Sequence, residues 1–179
     1  MSQPDTLLPH KRPFPVFSKE QIIRILTDEY LFERDSFFYV DEERRQYQTN
    51  LNTKDVLIDH ARLLYQKYKE GCTLVVKNLE DRDSYFRSLC RSLPGKNKDI
   101  HMYLSPPNGS AFDYHTDDKN VKVIHLYGKK MFYVNDELIF LNGSSKDKVV
   151  DIPKGVKHKA RTIGASGILS YGYDLDTDQ

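Results

Sequence analysis

Apolar positions change period partway along the chain. Residues 1–17 have no period and carry Pro4, Pro9, Pro13 and Pro15, which predicts an extended lead-in. Ser18-Lys-Glu-Gln21 then has the form of a capping box, and Ile22, Ile23 and Leu26 follow, predicting a helix over 19–30. A second helix begins after Thr53. Leu57, Ala61, Leu64 and Tyr68 recur at helical spacing, Lys67 and Lys69 suit its last turn, and Gly71 ends it. A third, over 81–93, buries Phe86, Leu89, Cys90 and Leu93 and stops at Pro94-Gly95. Between the last two helices, Thr73-Leu-Val-Val76 is a short β run.

From about Ile100 the texture is different. Short runs rich in Val, Ile, Tyr and Phe follow one another at 121–126, 131–134, 138–141, 149–152 and 168–173. Asn108-Gly109, Asn135-Asp136, Asn142-Gly143 and Pro153-Lys-Gly155 punctuate them. Strands this short, with no helix between them, predict an antiparallel β-sandwich or barrel. The expected organisation is one domain, with a helical layer over 1–98 packed on a β-barrel over 99–179.

Composition narrows the possible roles. The 179 residues are 39% apolar, 30% charged and 12% aromatic, enough bulk for one packed core and too aromatic for a disordered chain. A formal charge of +1 argues against direct nucleic-acid binding. No apolar run is long enough to span a bilayer and the N-terminus lacks a secretory pattern, so a cytoplasmic protein without membrane association is expected. Cys72 and Cys90 are too few for a disulfide framework and lack metal-ligand spacing.

The chemistry concentrates in Phe112-Asp-Tyr-His115-Thr-Asp117. In an extended segment residues two apart share a face, so His115 and Asp117 project together and offer two cis ligands to a divalent metal. A third ligand is expected from His158, which follows the turn in Pro153-Lys-Gly155-Val-Lys-His158, 43 residues after His115. Two His and one carboxylate, with other positions open, make the facial triad of non-haem Fe(II) oxygenases. The same pair also serves elsewhere as an ordinary hydrogen-bonded couple. Gly128-Lys129-Lys130 follows the apolar run 121–126, and a Lys on the next inward strand could pair with the distal carboxylate of a chelating co-substrate. Of the remaining histidines, His10 lies in the lead-in, His60 on a helix, and His101 and His125 in strands.

These elements, in this order, resemble the cupin-like JmjC hydroxylases, especially the ribosomal oxygenase branch. The resemblance is densest from Glu70-Gly-Cys-Thr-Leu-Val-Val-Lys-Asn78 to His158. It passes through Tyr103-Leu-Ser-Pro-Pro107, His115-Thr-Asp117, Gly128-Lys-Lys130 and Met131-Phe-Tyr-Val134. It implies a mainly β double-stranded β-helix, a jelly-roll or cupin barrel with N-terminal helices packed on it. It also implies Fe(II) held by His115, Asp117 and His158, with 2-oxoglutarate and O2 as co-substrates. Lys130 would grip the far carboxylate of 2-oxoglutarate, with Lys129 in its place if the register slips by one, and Tyr103 would contact the same molecule. The implied reaction releases succinate and CO2 and hydroxylates an unactivated C–H of a peptide or protein side chain or of a small metabolite. The chain ends 21 residues after His158, so the family's dimerisation and winged-helix-like regions are expected to be missing, and a homodimer is an open expectation.

Charge along the chain is uneven. Between Lys119 and Arg161 stand ten basic and four acidic residues. That segment reads either as a basic mouth for an anionic ligand or as a solvated face guarding strand edges. Tyr114, His125 and Lys157 are the substrate-lining candidates. Two rival roles stay open: a metal-dependent cupin enzyme that does not use 2-oxoglutarate, and a non-catalytic cupin-like binding protein.

Overall fold

Alternation within single strands divides this molecule into two cores. The structure is a computed structural model describing residues 19–33, 36–49, 57–82, 84–142 and 149–175. In strand β4 (Lys96–Ser105), Ile100, Met102 and Leu104 are almost fully buried on one face, while Asp99, His101 and Tyr103 line a cavity on the other. Strand β8 (His158–Asp174) repeats the pattern, with Leu169 and Tyr171 on the first side and Ile168, Ser170 and Gly172 on the second. The first core joins these strands to Leu26, Leu31, Leu64, Phe86 and Leu93 of the helical layer. The second fills the barrel with Val121, Val123, Phe132, Val134, Leu141, Val150, Ile152 and Ile168. A period of two along each strand therefore serves helices outside and a cavity inside.

The helical layer departs from the sequence expectation in its breaks. In place of one helix over 19–30 there are two, α1 (Lys19–Leu26) and α2 (Glu29–Glu33). The Asp28 carboxylate accepts from the Leu31 backbone N–H at 3.0 Å, capping α2 and restarting the helix. Helix α3 (Leu57–Lys69) buries His60 as well as Leu64. The His60 ring meets Phe32 and Phe37 edge-on and lies 2.6 Å from Thr49 Oγ1, and burial pushes its pKa down to about 4, so it is neutral. Helices α4 (Leu79–Arg82) and α5 (Ser84–Ser92) cover the span expected as one helix. The proline-rich lead-in and His10 lie outside the described residues.

The sheet is antiparallel and larger than the sequence suggests. Besides β3 (Thr73–Val76), the part expected to be helical supplies β1 (Phe37–Val40) and β2 (Gln46–Gln48). Four apolar residues beside a charged turn carry too little periodicity to announce a strand. Strands β5 (Asn120–Val134), β6 (Glu137–Leu141) and β7 (Val149–Ile152) complete the order β2-β1-β3-β4-β8-β5-β6, with β7 also on β5. The result is a mainly β, cupin-like jelly roll with helices on one side.

The two runs 121–126 and 131–134 are one 15-residue strand with irregular pairing against β8 at His125/Tyr127 and at Gly128/Lys130. Such bulges bend a strand. Both halves of β5 thereby line the same cavity, through Val121 and Val123 before the bend and Lys130 and Phe132 after it. Gly128 allows this because its φ is +79°, and a Cβ there would stand 1.8 Å from the Ala165 carbonyl oxygen. Gly155 has a similar φ of +75° but open space around it. Gly128→Ala is therefore expected to cost about 2 kcal/mol or more, lowering the melting temperature by about 4–8 °C. Gly155→Ala should cost only the backbone strain, and thermal denaturation of the two variants side by side tests the difference.

Candidate metal centre

Two chain segments, 112–117 and 153–158, meet at the barrel interior. The 112–117 segment runs antiparallel to the start of β8, so that the His115 N–H donates to the His158 carbonyl at 3.0 Å and the His158 N–H to the His115 carbonyl at 2.9 Å. The Gly155 N–H donates to the Asp117 carbonyl at 3.0 Å, which ties the turn before His158 to the same segment. Backbone pairing thus brings together residues 43 positions apart in sequence.

One ligand atom from each of His115, Asp117 and His158 lies within 4.8 Å of the others. His115 Nε2 is 3.9 Å from Asp117 Oδ1, and His158 Nε2 is 3.4 Å from Asp117 Oδ2. Each imidazole sets Nδ1 against a carbonyl oxygen, His115 on Asp113 at 2.7 Å and His158 on Val156 at 2.9 Å. A carbonyl only accepts, so each Nδ1 carries hydrogen and each Nε2 faces Asp117 as the coordinating atom. The contact with His158 leads in holding the Asp117 carboxyl below its ordinary pKa, against the opposing effect of burial. Burial works against a charged His158, yet Asp117 and the Val156 carbonyl outweigh it and raise its pKa. In chemistry and orientation, this donor set fits a divalent transition metal with further positions left for exogenous ligands.

The triad faces a cavity of about 510 Å³ whose deep end is polar. Thr73 and Lys130 are buried in its lining, and Ser105, Thr162 and Ser166 are buried next to them but outside it, none of the five more than 4% exposed. The Lys130 ammonium donates to Ser105 Oγ at 3.0 Å, and Ser105 Oγ shares a hydrogen bond of 2.9 Å with Thr73 Oγ1. The Thr73 hydroxyl also bonds the Ser110 carbonyl. Among the described residues the Thr162 and Ser166 hydroxyls have no hydrogen-bond partner, and no carboxylate pairs with Lys130. Burial alone pushes the Lys130 pKa down to about 8. A buried ammonium lining a barrel cavity, with no carboxylate partner among the described residues, is able to bind an anion there.

The other expected site residues separate clearly. Lys129 is exposed on the opposite face of β5. Tyr103 lines the cavity, and burial, with the charges of Asp117 and Asp99 adding to it, pushes its pKa up, so its hydroxyl stays protonated. Tyr114 and Lys157 sit outside the cavity lining, with the Lys157 and Lys159 ammonium groups 4.8 and 4.2 Å from the centre of the Tyr114 ring. His125 is also absent from the lining; its Nε2 lies 2.9 Å from the Gly128 carbonyl, so the ring ties the bulge. The sequence reading missed Ser105, Thr162 and Ser166. The signal for Ser105 is an unbroken series of polar inward positions on β4 (Asp99, His101, Tyr103, Ser105) whose outward neighbours are all apolar.

No protein-family model matches the chain, and no curated protein matches it. Among solved structures, the ribosomal oxygenase YcfD from Escherichia coli aligns with a TM-score of 0.64 and 15% identity, over 92% of this chain and 45% of that one. YcfD in complex with cobalt and 2-oxoglutarate gives a TM-score of 0.62 at 15% identity, over 92% of this chain and 46% of that one. Its complex with cobalt and succinic acid gives 0.62 at 14% identity, again over 92% and 46%. The likeness shows a shared fold. The chain spans less than half the length of these YcfD chains.

Alanine at His115, Asp117 or His158 is expected to weaken Co(II) binding about 100-fold or more, read by calorimetry or by the visible absorption of cobalt. Since Asp117 and the Val156 carbonyl raise the His158 pKa above its ordinary value, wild-type affinity should fall as pH drops through that raised pKa, because metal and proton compete for the same face.

Proposed function

We propose that the chain is an Fe(II)- and 2-oxoglutarate-dependent oxygenase that hydroxylates an unactivated C–H of a peptide or protein side chain or of a small molecule. The observation that carries this reading is Lys130, a buried ammonium without a carboxylate partner among the described residues, in the same cavity as the His115–Asp117–His158 triad. A metal site alone would suit any metal-dependent cupin. A metal site with a buried cation deeper in the same chamber suits a co-substrate that chelates at one end and carries a carboxylate at the other. The fold shared with YcfD, whose structures contain cobalt with 2-oxoglutarate or succinic acid, supports the same reading.

His115, Asp117 and His158 would hold Fe(II), their Nδ1 hydrogens keeping both rings in the ligating orientation. Iron held there would supply, with O2 and 2-oxoglutarate, the oxidising chemistry that releases succinate and CO2 and places one oxygen atom in the substrate C–H bond. The chain's own part is binding and exclusion of water. Lys130 would pair with the distal carboxylate, Ser105 would hold the ammonium in place by accepting from it, and the protonated Tyr103 would donate one more hydrogen bond. Val121, Val123, Phe132 and Ile168 make the surrounding wall apolar.

Purified protein given Fe(II), 2-oxoglutarate and O2 should form succinate, and failure to bind 2-oxoglutarate at all would refute the proposal. Lys130→Met should raise the 2-oxoglutarate requirement about 10- to 100-fold, while Lys129→Met should leave it unchanged. The same Lys130→Met protein should melt higher than wild type without ligand, because an uncompensated buried charge is gone. For wild type, affinity for 2-oxoglutarate should fall as pH rises through about 8, where the free Lys130 ammonium loses its proton.

A further inference from the structure

The cavity continues past the triad, and its other end carries a second free cation. The inward positions of β4 step from Ser105 through Tyr103 and His101 to Asp99, about 20 Å along the strand at roughly 3.3 Å per residue. Lys130 sits at the Ser105 end, and the Asp117 charge acts on both Tyr103 and His101, which places the metal ligands between. A five-carbon dicarboxylate reaching from Lys130 to the triad leaves the stretch from His101 to Asp99 for another molecule.

Lys77 faces that stretch. Strand β3 pairs Val75 with Tyr103 and Val76 with Met102, so one more step sets Lys77 beside His101, and Lys77 lines the cavity. Its stem is half-buried and its ammonium lies 4.3 Å from the centre of the Phe38 ring. Among the described residues that ammonium has no hydrogen bond and no ion pair. Of the nearby charges, Asp99 acts on Lys77 electrostatically but accepts from Lys119 at 2.5 Å and lies 3.7 Å from His101, and Lys119 also donates to the Asn97 carbonyl at 2.6 Å. Asp118 stands exposed at the rim.

We propose that Lys77 anchors a carboxylate of the primary substrate, which makes the molecule to be oxidised an acid. Its being oxidised rests on the oxygenase reading; the anion site does not. Two sources share the chemistry, a small carboxylic acid and an acidic side chain of a peptide.

The test uses the full chain loaded with redox-inert Zn(II). NMR titration with butanoate, with acetyl-Gly-Asp-Gly-amide and with its Asn counterpart distinguishes the two sources from each other and from uncharged binding. At least one carboxylate probe should bind, the Asn peptide more weakly. Lys77→Met should weaken that binding about tenfold or more, Lys77→Arg should retain it, and Lys130→Met should not reduce it. Butanoate alone binding would identify a small acid, and the Asp peptide binding would identify an acidic peptide. No binding of either carboxylate, equal binding of the Asn peptide, unchanged binding in Lys77→Met, or loss in Lys77→Arg or Lys130→Met overturns the proposal. Succinate formation is read separately, so an inactive protein with a Lys77-dependent anion site would refute the oxygenase and leave this site standing.

Discussion

Strands β5 and β8 hydrogen bond from Asn120–Tyr173 at one end to Val134–His158 at the other. Everything at the centre of the molecule is positioned by that ladder. It sets Lys130 opposite Thr162 and carries His158 to the point where its backbone pairs with His115. A slip of one residue would exchange the faces of both strands, turning Lys129 inward and Lys130 out. The two irregular pairings near Gly128 fix which register obtains, because the chain can bend against Ala165 only where no side chain intervenes.

Once the ladder is set, the interior divides by chemistry. Apolar side chains from β5, β7 and β8 form the wall, while β4 presents polar groups along one line. Burial gives those groups their character: it withholds water from Lys130 and keeps Tyr103 protonated. Such a chamber is unfavourable to build and favourable to fill. The triad lies half in this environment, with Asp117 and His158 sharing charge in a way that a cation would replace.

Much of this was legible in the sequence where the information is local. His115 and Asp117 share a face because alternation is a property of any extended segment, and the turn before His158 is written in Pro153 and Gly155. The barrel texture after Ile100 is equally direct. What escaped notice depends on long-range pairing. Strands β1 and β2 exist because β3 offers an edge, and α1 ends early because Asp28 captures an amide. Thr162, Ser166 and Lys77 resemble solvated strand residues until the register turns them inward. His125 misled for another reason, since the bulge after it brings the Gly128 carbonyl within 2.9 Å of its ring, which is engaged there instead of lining the cavity. The basic segment proved partly internal in its bookkeeping: Lys119 is paired with Asp99, Lys122 with Asp151, and Lys157 and Lys159 rest on Tyr114.

Strand β8 follows every other described strand in sequence, yet it lies in the middle of the sheet, between β4 and β5. During synthesis, both neighbours therefore wait with an open edge until the last strand emerges and inserts. Contacts so distant along the chain are slow to form, and exposed edges invite pairing with other chains in the interval. His158 arrives with that strand. The final ligand is thus delivered by the same event that closes the sheet, so a nascent chain cannot hold metal through all three residues before its barrel is complete.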